Sequence, residues 1–142
     1  MATFDQLFAA NVRAWYFLVA ALAPKMAARR SGSIVNIGSM AGQIGLAGGA
    51  AYSATKATLA AMTRSWAAEF SPSGVRVNAI AAGPVLTNGA STARIEALGV
   101  TTLLARAAQP GEIATVIAFF ASPKASYITG AVIAADGGRT AI

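Results

Sequence analysis

The sequence contains a tyrosine and a lysine whose spacing could support acid–base chemistry. Tyr52 and Lys56 stand four residues apart in a stretch with a helical pattern, and residues at this spacing share one face of a helix. An ammonium group beside a phenol favours the phenolate, so the pair could donate and accept a proton without a histidine. Taken alone, such a pair is more often an ordinary surface feature, so its role depends on the elements around it.

Two further segments could bring polar groups to the same place. Ser39 directly follows residues 33–38, a short β-branched run typical of a strand buried on both faces. Residues 83–87 follow a second such run at 75–80. Ligands of doubly wound sheets bind beyond the carboxyl ends of parallel strands, so both segments are expected at that edge. There the Ser39 hydroxyl could bind a substrate oxygen opposite the Tyr52 hydroxyl.

The composition excludes several other kinds of site. The 142 residues include no cysteine and no histidine, which rules out disulfides, thiolate nucleophiles and imidazole bases. The five carboxylates are scattered, so no metal site is predicted. Hydrophobic residues make up 56% and charged residues 11%, a balance that argues against disorder. The net charge is +6, but the basic residues are not clustered on one face as they are in proteins that bind nucleic acids. Their main concentration is Lys25, Arg29 and Arg30, which could be either a solvated helix end or a patch that binds an acidic partner.

The hydrophobic periodicity predicts helices and strands in alternation. Helices are expected at residues 4–28, 52–70 and 110–121, strands at 33–38, 75–80 and 131–135, and a less regular stretch at 86–109. Alternation of this kind implies parallel strands joined by helical crossovers. We therefore expect one α/β domain over residues 1–142. The apolar run at 15–23 has nine residues, fewer than the roughly 20 of a membrane-spanning helix, and no signal peptide is evident.

The set of motifs resembles the classical short-chain dehydrogenase/reductase family. The matching segments are Asn-Val-Arg from residue 11, Ile-Val-Asn-Ile-Gly-Ser from 34, Tyr-Ser-Ala-Thr-Lys from 52, Val-Arg-Val-Asn-Ala-Ile from 75, Pro-Gly-Glu-Ile-Ala from 110, Tyr-Ile-Thr-Gly from 127 and Asp-Gly-Gly from 136. The resemblance runs over nearly the whole chain. It implies a Rossmann-like doubly wound sheet and hydride transfer between NAD(H) or NADP(H) and a carbonyl or secondary alcohol.

The resemblance also implies a role for each matching residue. Tyr52 would be the general acid/base, Lys56 would tune it and hold the nicotinamide ribose, Ser39 would orient the substrate oxygen, and Asn11 would hold a relay water. For the cofactor loop, Gly83, Pro84, Val85 and Thr87 match the family pattern, with Val85 and Thr87 facing the nicotinamide and pyrophosphate. Ala82 stands where the family usually has a proline, which loosens the loop without removing a functional group.

One family element has no counterpart in these 142 residues. The Gly-rich turn that binds pyrophosphate after the first strand of a βαβ unit is missing, because the glycines at 42–49 follow the Ser39 strand and lack its spacing. We therefore expect a partial sheet of about three parallel strands, with the amino-terminal βαβ half absent. The strand at 33–38 would then be an edge, some helix surface would be bare, and coenzyme binding and turnover by this chain alone would be weak.

The resemblance leaves the substrate and the assembly open. The nearest subgroup looks like the 3-oxoacyl-carrier-protein reductases; Arg29 and Arg30 fit one position of their carrier-binding arginines, whereas Ser73 occupies another that would ideally be basic. We expect a cytoplasmic homo-oligomer, dimer or tetramer, that acts on a small carbonyl or alcohol and binds neither nucleic acid nor membrane. The alternative is a non-catalytic remnant that serves as an oligomerisation module.

Overall fold

The structure, a computed structural model, describes residues 3–142 and confirms the alternation of helices and strands. In chain order its main elements are helix α1 (Phe4–Ala28), strand β1 (Gly32–Ile37), helix α2 (Ala50–Phe70), strand β2 (Val75–Ala82), helix α3 (Thr92–Gly99), helix α4 (Pro110–Ala121) and strand β3 (Val132–Ala135). Helix α1 starts at a capping box in which the Thr3 hydroxyl accepts the Gln6 N–H and the Gln6 side chain accepts the Thr3 N–H.

The three strands form one parallel sheet in the order β1-β2-β3. Ile37 at the end of β1 lies beside Ile80, and Ala82 at the end of β2 lies beside Ala135. The carboxyl ends of all three strands therefore meet at one edge of the sheet. This is the partial Rossmann-like α/β arrangement that the sequence predicts, and the strand at 32–37 lies at an edge of the sheet, as expected.

Helices cover both faces of the central strand because its side chains alternate between two cores. Val75 and Val77 point to the side of α1 and α2 and are fully buried there against Leu59 and Trp66. Ile80 points to the opposite side, where it packs against Phe120 of α4. Strand β2 is thus buried on both faces, which is the reason for its continuous apolar character.

Apart from shifts of one or two residues at the ends of β1, α2 and β3, the structure differs from the sequence prediction in three places. The stretch at 86–109 contains the helix α3, which was not predicted because most of its residues are exposed and form no apolar stripe. Strand β2 continues two residues further than predicted, through Ala82, because Ala81 and Ala82 pair with β3. Helix α1 contains a π-helical segment, Ala9–Arg13, that carries Asn11.

The apolar part of helix α1 is longer than the nine-residue run at 15–23. By length and composition alone, Phe4–Ala28 would suffice to cross a membrane, with a mean hydropathy of 1.4 in its most apolar part, a test that core helices of globular proteins also pass. Only 11% of that window is buried, and Tyr16, Phe17 and Leu18 are among its exposed apolar side chains. The bare apolar surface expected from the composition is therefore found on α1.

A buried amide should be important for the stability of this sheet. Asn78 is fully buried on β2; its Nδ2 donates to the Ile128 carbonyl and its Oδ1 accepts the Ala131 N–H, which ties the segment before β3 to the sheet. Asn78→Ala should lower the free energy of unfolding by about 2–4 kcal/mol, because both backbone partners lose their bond in the interior. Chemical denaturation measures this, with the exposed Asn88→Ala as control. Equal losses in the two variants would contradict it.

Candidate active site

Tyr52 and Lys56 lie on the first two turns of α2, beside the end of β1. Lys56 Nζ is 5.7 Å from the centroid of the Tyr52 ring and donates a 3.2 Å hydrogen bond to the carbonyl oxygen of Ile37. Tyr52 as a whole is 38% exposed. The predicted pair thus shares one helix face and is directed toward the carboxyl edge of the sheet.

The environment of Lys56 is unusual for a lysine. The side chain is half-buried, and burial lowers the pKa of its ammonium group below the usual lysine value. A lysine whose pKa is lowered and which lies over a tyrosine ring is typical of functional sites. Its bond to the Ile37 carbonyl fixes the ammonium between α2 and β1.

The loop that carries Ser39 is pressed against α2. Ser39 caps a short 3-10 helix, Met40–Gly42, and its Oγ accepts the N–H of Ala41 at 3.2 Å. A Cβ atom on Gly42 would lie only 2.8 Å from the Ala57 nitrogen and 2.9 Å from the Lys56 carbonyl carbon. Only glycine therefore allows this approach, which brings the Ser39 loop onto the same part of α2 that carries Lys56.

Asn11 is linked to Tyr52 through Thr55, a residue that the sequence analysis did not single out. Asn11 Nδ2 donates to Thr55 Oγ1 at 3.2 Å, and the Thr55 hydroxyl donates to the Tyr52 carbonyl at 2.7 Å. Thr55 is fully buried. Its position three residues after Tyr52, on the side of α2 that faces inward, is the only sequence signal that could have identified it. The π-helical turn of α1 is thus connected to the first turn of α2.

The predicted cofactor loop leaves β2 at the same edge of the sheet. The Gly83 N–H donates to the Ala135 carbonyl at 3.0 Å. A Cβ atom on Gly83 would lie only 2.6 Å from the Cα atom of Asp136. Pro84 is buried, Val85 is half-buried and Thr87 is exposed. Gly83 and Pro84 also line a cavity of about 450 Å³, whose other walls include Leu103, Leu104 and the turn at 136–138.

The structure therefore links three of the four predicted catalytic residues, Asn11, Tyr52 and Lys56, either by direct contact or through one intervening residue. Lys56 contacts Tyr52, Thr55 joins Asn11 to Tyr52, and Ser39 lies two residues beyond the Ile37 carbonyl that Lys56 binds. The cofactor loop follows the neighbouring strand, and its cavity does not extend to the Tyr52 side chain. Among residues 3–142, no group of three histidine, cysteine or carboxylate residues is placed to bind a metal ion.

The close approach of Gly42 to α2 can be tested by adding one methyl group. Gly42→Ala should lower the melting temperature and loosen the contact of Lys56 with Ile37, because the Cβ meets backbone atoms that cannot rotate away. Gly45→Ala in the same loop is the matched control, since nothing lies within 4 Å of a Cβ there. Thermal unfolding and Lys56 NMR shifts would check this. A Gly42→Ala protein indistinguishable from Gly45→Ala would show that the approach is not required.

Comparisons with known proteins identify relatives over nearly the whole chain. A family model described as enoyl-(acyl carrier protein) reductase matches residues 1–140. The chain is 41% identical to a galactitol 2-dehydrogenase (L-tagatose-forming) of Cereibacter sphaeroides over 98% of its own length, and 38% identical to a 3-oxoacyl-acyl-carrier-protein reductase of Thermotoga maritima over 94%. A solved structure titled short chain dehydrogenase/reductase family protein superposes with a TM-score of 0.89 at 49% identity, covering 98% of this chain.

The matches cover only part of each relative. The chain spans 58% of the length of the galactitol dehydrogenase, 56% of the Thermotoga reductase and 58% of the solved structure. Sequence identity and fold agree across this shared part. The chain belongs to the short-chain dehydrogenase/reductase family.

Proposed function

We propose that this chain carries the acid–base part of an NAD(P)-dependent oxidoreductase that interconverts a carbonyl compound and a secondary alcohol. The observation that carries the proposal is the placement of the Lys56 ammonium between the Tyr52 ring and the carboxyl end of β1. Family membership supports oxidoreductase chemistry in general, since the relatives are named dehydrogenases and reductases. The reaction of this particular chain, and its substrate, belong to the proposal.

The proposed proton transfer uses the Tyr52 hydroxyl. In the reducing direction Tyr52 Oη donates its proton to the substrate oxygen as that oxygen gains negative charge, and Ser39 Oγ donates a hydrogen bond to the same oxygen. Lys56 lies close enough to the phenol ring to stabilise the phenolate that remains. The carboxamide of Asn11 supports the first turn of α2 through Thr55 and, in this proposal, also holds a water through which Tyr52 regains a proton.

The residues around the cofactor loop fit a nicotinamide coenzyme. Gly83 lies at the carboxyl edge of the sheet with its Cα packed against Asp136, Val85 offers a half-buried apolar side chain and Thr87 an exposed hydroxyl. A reduced nicotinamide, NADH or NADPH, supplies the hydride that the substrate carbon accepts. We propose that Gly83, Pro84, Val85 and Thr87 contact its nicotinamide end and that Lys56 and Tyr52 bind the adjoining ribose.

Two classes of substrate are candidates for this site. An acyl chain linked to a carrier protein is one candidate, because one relative is named for such a substrate and Arg29 and Arg30 are exposed at the end of α1. A small free carbonyl compound or alcohol is the other. A cytoplasmic, homo-oligomeric state remains a prediction from the sequence. Because the chain spans only part of its relatives, we expect weak coenzyme binding and low turnover from it alone.

A second candidate function is an oligomerisation module without catalysis. The exposed apolar side chains of α1, among them Tyr16, Phe17 and Leu18, favour it, because such a surface is costly to leave in water. Size-exclusion chromatography at several dilutions, combined with titration of NADH and NADPH, separates the two. Stable oligomers that bind neither coenzyme would favour the module, whereas saturable coenzyme binding would favour the enzyme.

The enzymatic proposal is tested by removing one oxygen atom. Tyr52→Phe should reduce turnover by about 10²–10⁴-fold, because the proton donor is lost, and should weaken coenzyme binding far less, because Lys56 still holds the ribose. Tyr127→Phe is the matched control, since Tyr127 is fully exposed on a distant loop. The assay uses the chain itself and a chimaera completed with the unmatched portion of the galactitol dehydrogenase. Full turnover by a Tyr52→Phe chimaera would refute the assignment.

A further inference from the structure

A pair of oppositely charged side chains lines the same cavity as Gly83 and Pro84 of the proposed cofactor loop. Arg106 donates two parallel hydrogen bonds to the Glu112 carboxylate, from its two terminal nitrogens, each 2.8 Å long. The same carboxylate accepts the backbone N–H of Gln109 at 2.8 Å. Glu112 is in the first turn of α4, where a negative charge is also favoured by the helix dipole. This two-pronged geometry fixes the orientation of both side chains.

The segment held by this pair is hydrogen-bonded to the cofactor loop. Ala108 lies between Arg106 and Gln109; its N–H donates to the Pro84 carbonyl at 2.9 Å, and its carbonyl accepts the Leu86 N–H at 3.0 Å. Val85 and Ala108 form an isolated parallel bridge. The backbone on either side of Val85 is thus held by one residue, Ala108, whose flanking residues are fixed to α4.

The other end of the loop has a different anchor. Gly83 is bonded to Ala135 and packs against Asp136, so it is fixed by β3 whether or not the charged pair forms. Beyond Leu86, residues 87–91 are exposed and irregular. Between this fixed beginning and the exposed end, the loop is held by its two hydrogen bonds to Ala108. The charged pair acts on the loop through Ala108.

We propose that Arg106 and Glu112 form a latch that positions the backbone at Pro84–Leu86 for the nicotinamide end of the coenzyme. Both are positioning residues that act through Ala108 and do not touch the reacting atoms. This inference rests on the proposed function for its link to the coenzyme, and on the hydrogen-bond network alone for its effect on the loop.

The latch should stay ionised at neutral and at mildly acidic pH. The hydrogen bonds from Arg106, followed by that from the Gln109 N–H, lower the pKa of Glu112 to about 2. A carboxyl group whose pKa is lowered on folding contributes above its unfolded pKa and loses that contribution as the pH falls toward the folded value. The loop should therefore keep its protection from neutral pH down to acidic pH, and lose it as the pH approaches 2.

Amide hydrogen exchange in the 142-residue chain tests the latch directly. Glu112→Gln should speed exchange of the Leu86 and Ala108 amides by about two- to fivefold, because the ion pair is lost at a site where both side chains are about half exposed. The Ala79 amide, which donates to Ala131 within the sheet, should be unchanged. Arg106→Lys keeps the positive charge but loses the paired hydrogen bonds of the guanidinium group. Its exchange rates at Leu86 and Ala108 should lie between those of the unmodified chain and those of Glu112→Gln. Glu69→Gln, at an exposed site on α2, is the charge-matched control.

The outcomes separate the latch from the proposed function. Unchanged exchange at Leu86 and Ala108, or equal acceleration at Ala79, would overturn the latch. Titration with NADH forms the second arm, where Glu112→Gln should weaken binding several-fold and Glu69→Gln should not. Equal NADH binding by both variants would overturn the link to the coenzyme. Failure of the unmodified chain to bind any NADH at high concentration would count against the proposed function and leave the exchange result standing.

Discussion

The close approach of the Ser39 loop to α2 is the constraint on which the candidate site depends. Gly42 meets the backbone of α2 at Lys56 and Ala57, where a Cβ atom has no room, and the Lys56 ammonium in turn binds the last residue of β1. Loop, helix and strand are thus fixed to one another within a few residues of Ser39 and Tyr52. A site assembled from three separate elements needs such short-range contacts, because small displacements spoil the geometry of proton transfer.

The central strand determines where the second half of the site lies. Because β2 is buried on both faces, its carboxyl end can leave the sheet only between the two helical layers, and it does so next to the end of β1. The loop from Gly83 therefore begins beside the Ser39 loop without any direct contact between them being required. The charged pair of Arg106 and Glu112 lies on the α4 side of this loop and lines the same cavity as Gly83 and Pro84.

Much of this arrangement could be predicted from the sequence, because its signals are local. The β-branched runs, the Ser-Pro-Ser-Gly stop at 71–74 and Pro110 mark strands and helix ends by their own conformational limits. The contacts of Gly42, the bridge formed by Thr55 and the pairing of Ala108 with Pro84 and Leu86 join segments far apart in the chain. No periodicity encodes such pairings, and the short, mostly exposed helix α3 offers no apolar stripe to detect.

The proposed reaction requires that Ser39, Tyr52 and Lys56 face one common space at the carboxyl edge of the sheet, and a direct measurement in solution can test this requirement. Nuclear Overhauser effects from the Tyr52 ring protons, recorded on isotope-labelled protein, report which side chains surround that ring. If the three side chains share this space, we expect cross-peaks from the ring to the side-chain protons of both Lys56 and Ser39. A ring with cross-peaks to Lys56 but none to Ser39, or to neither, would contradict it.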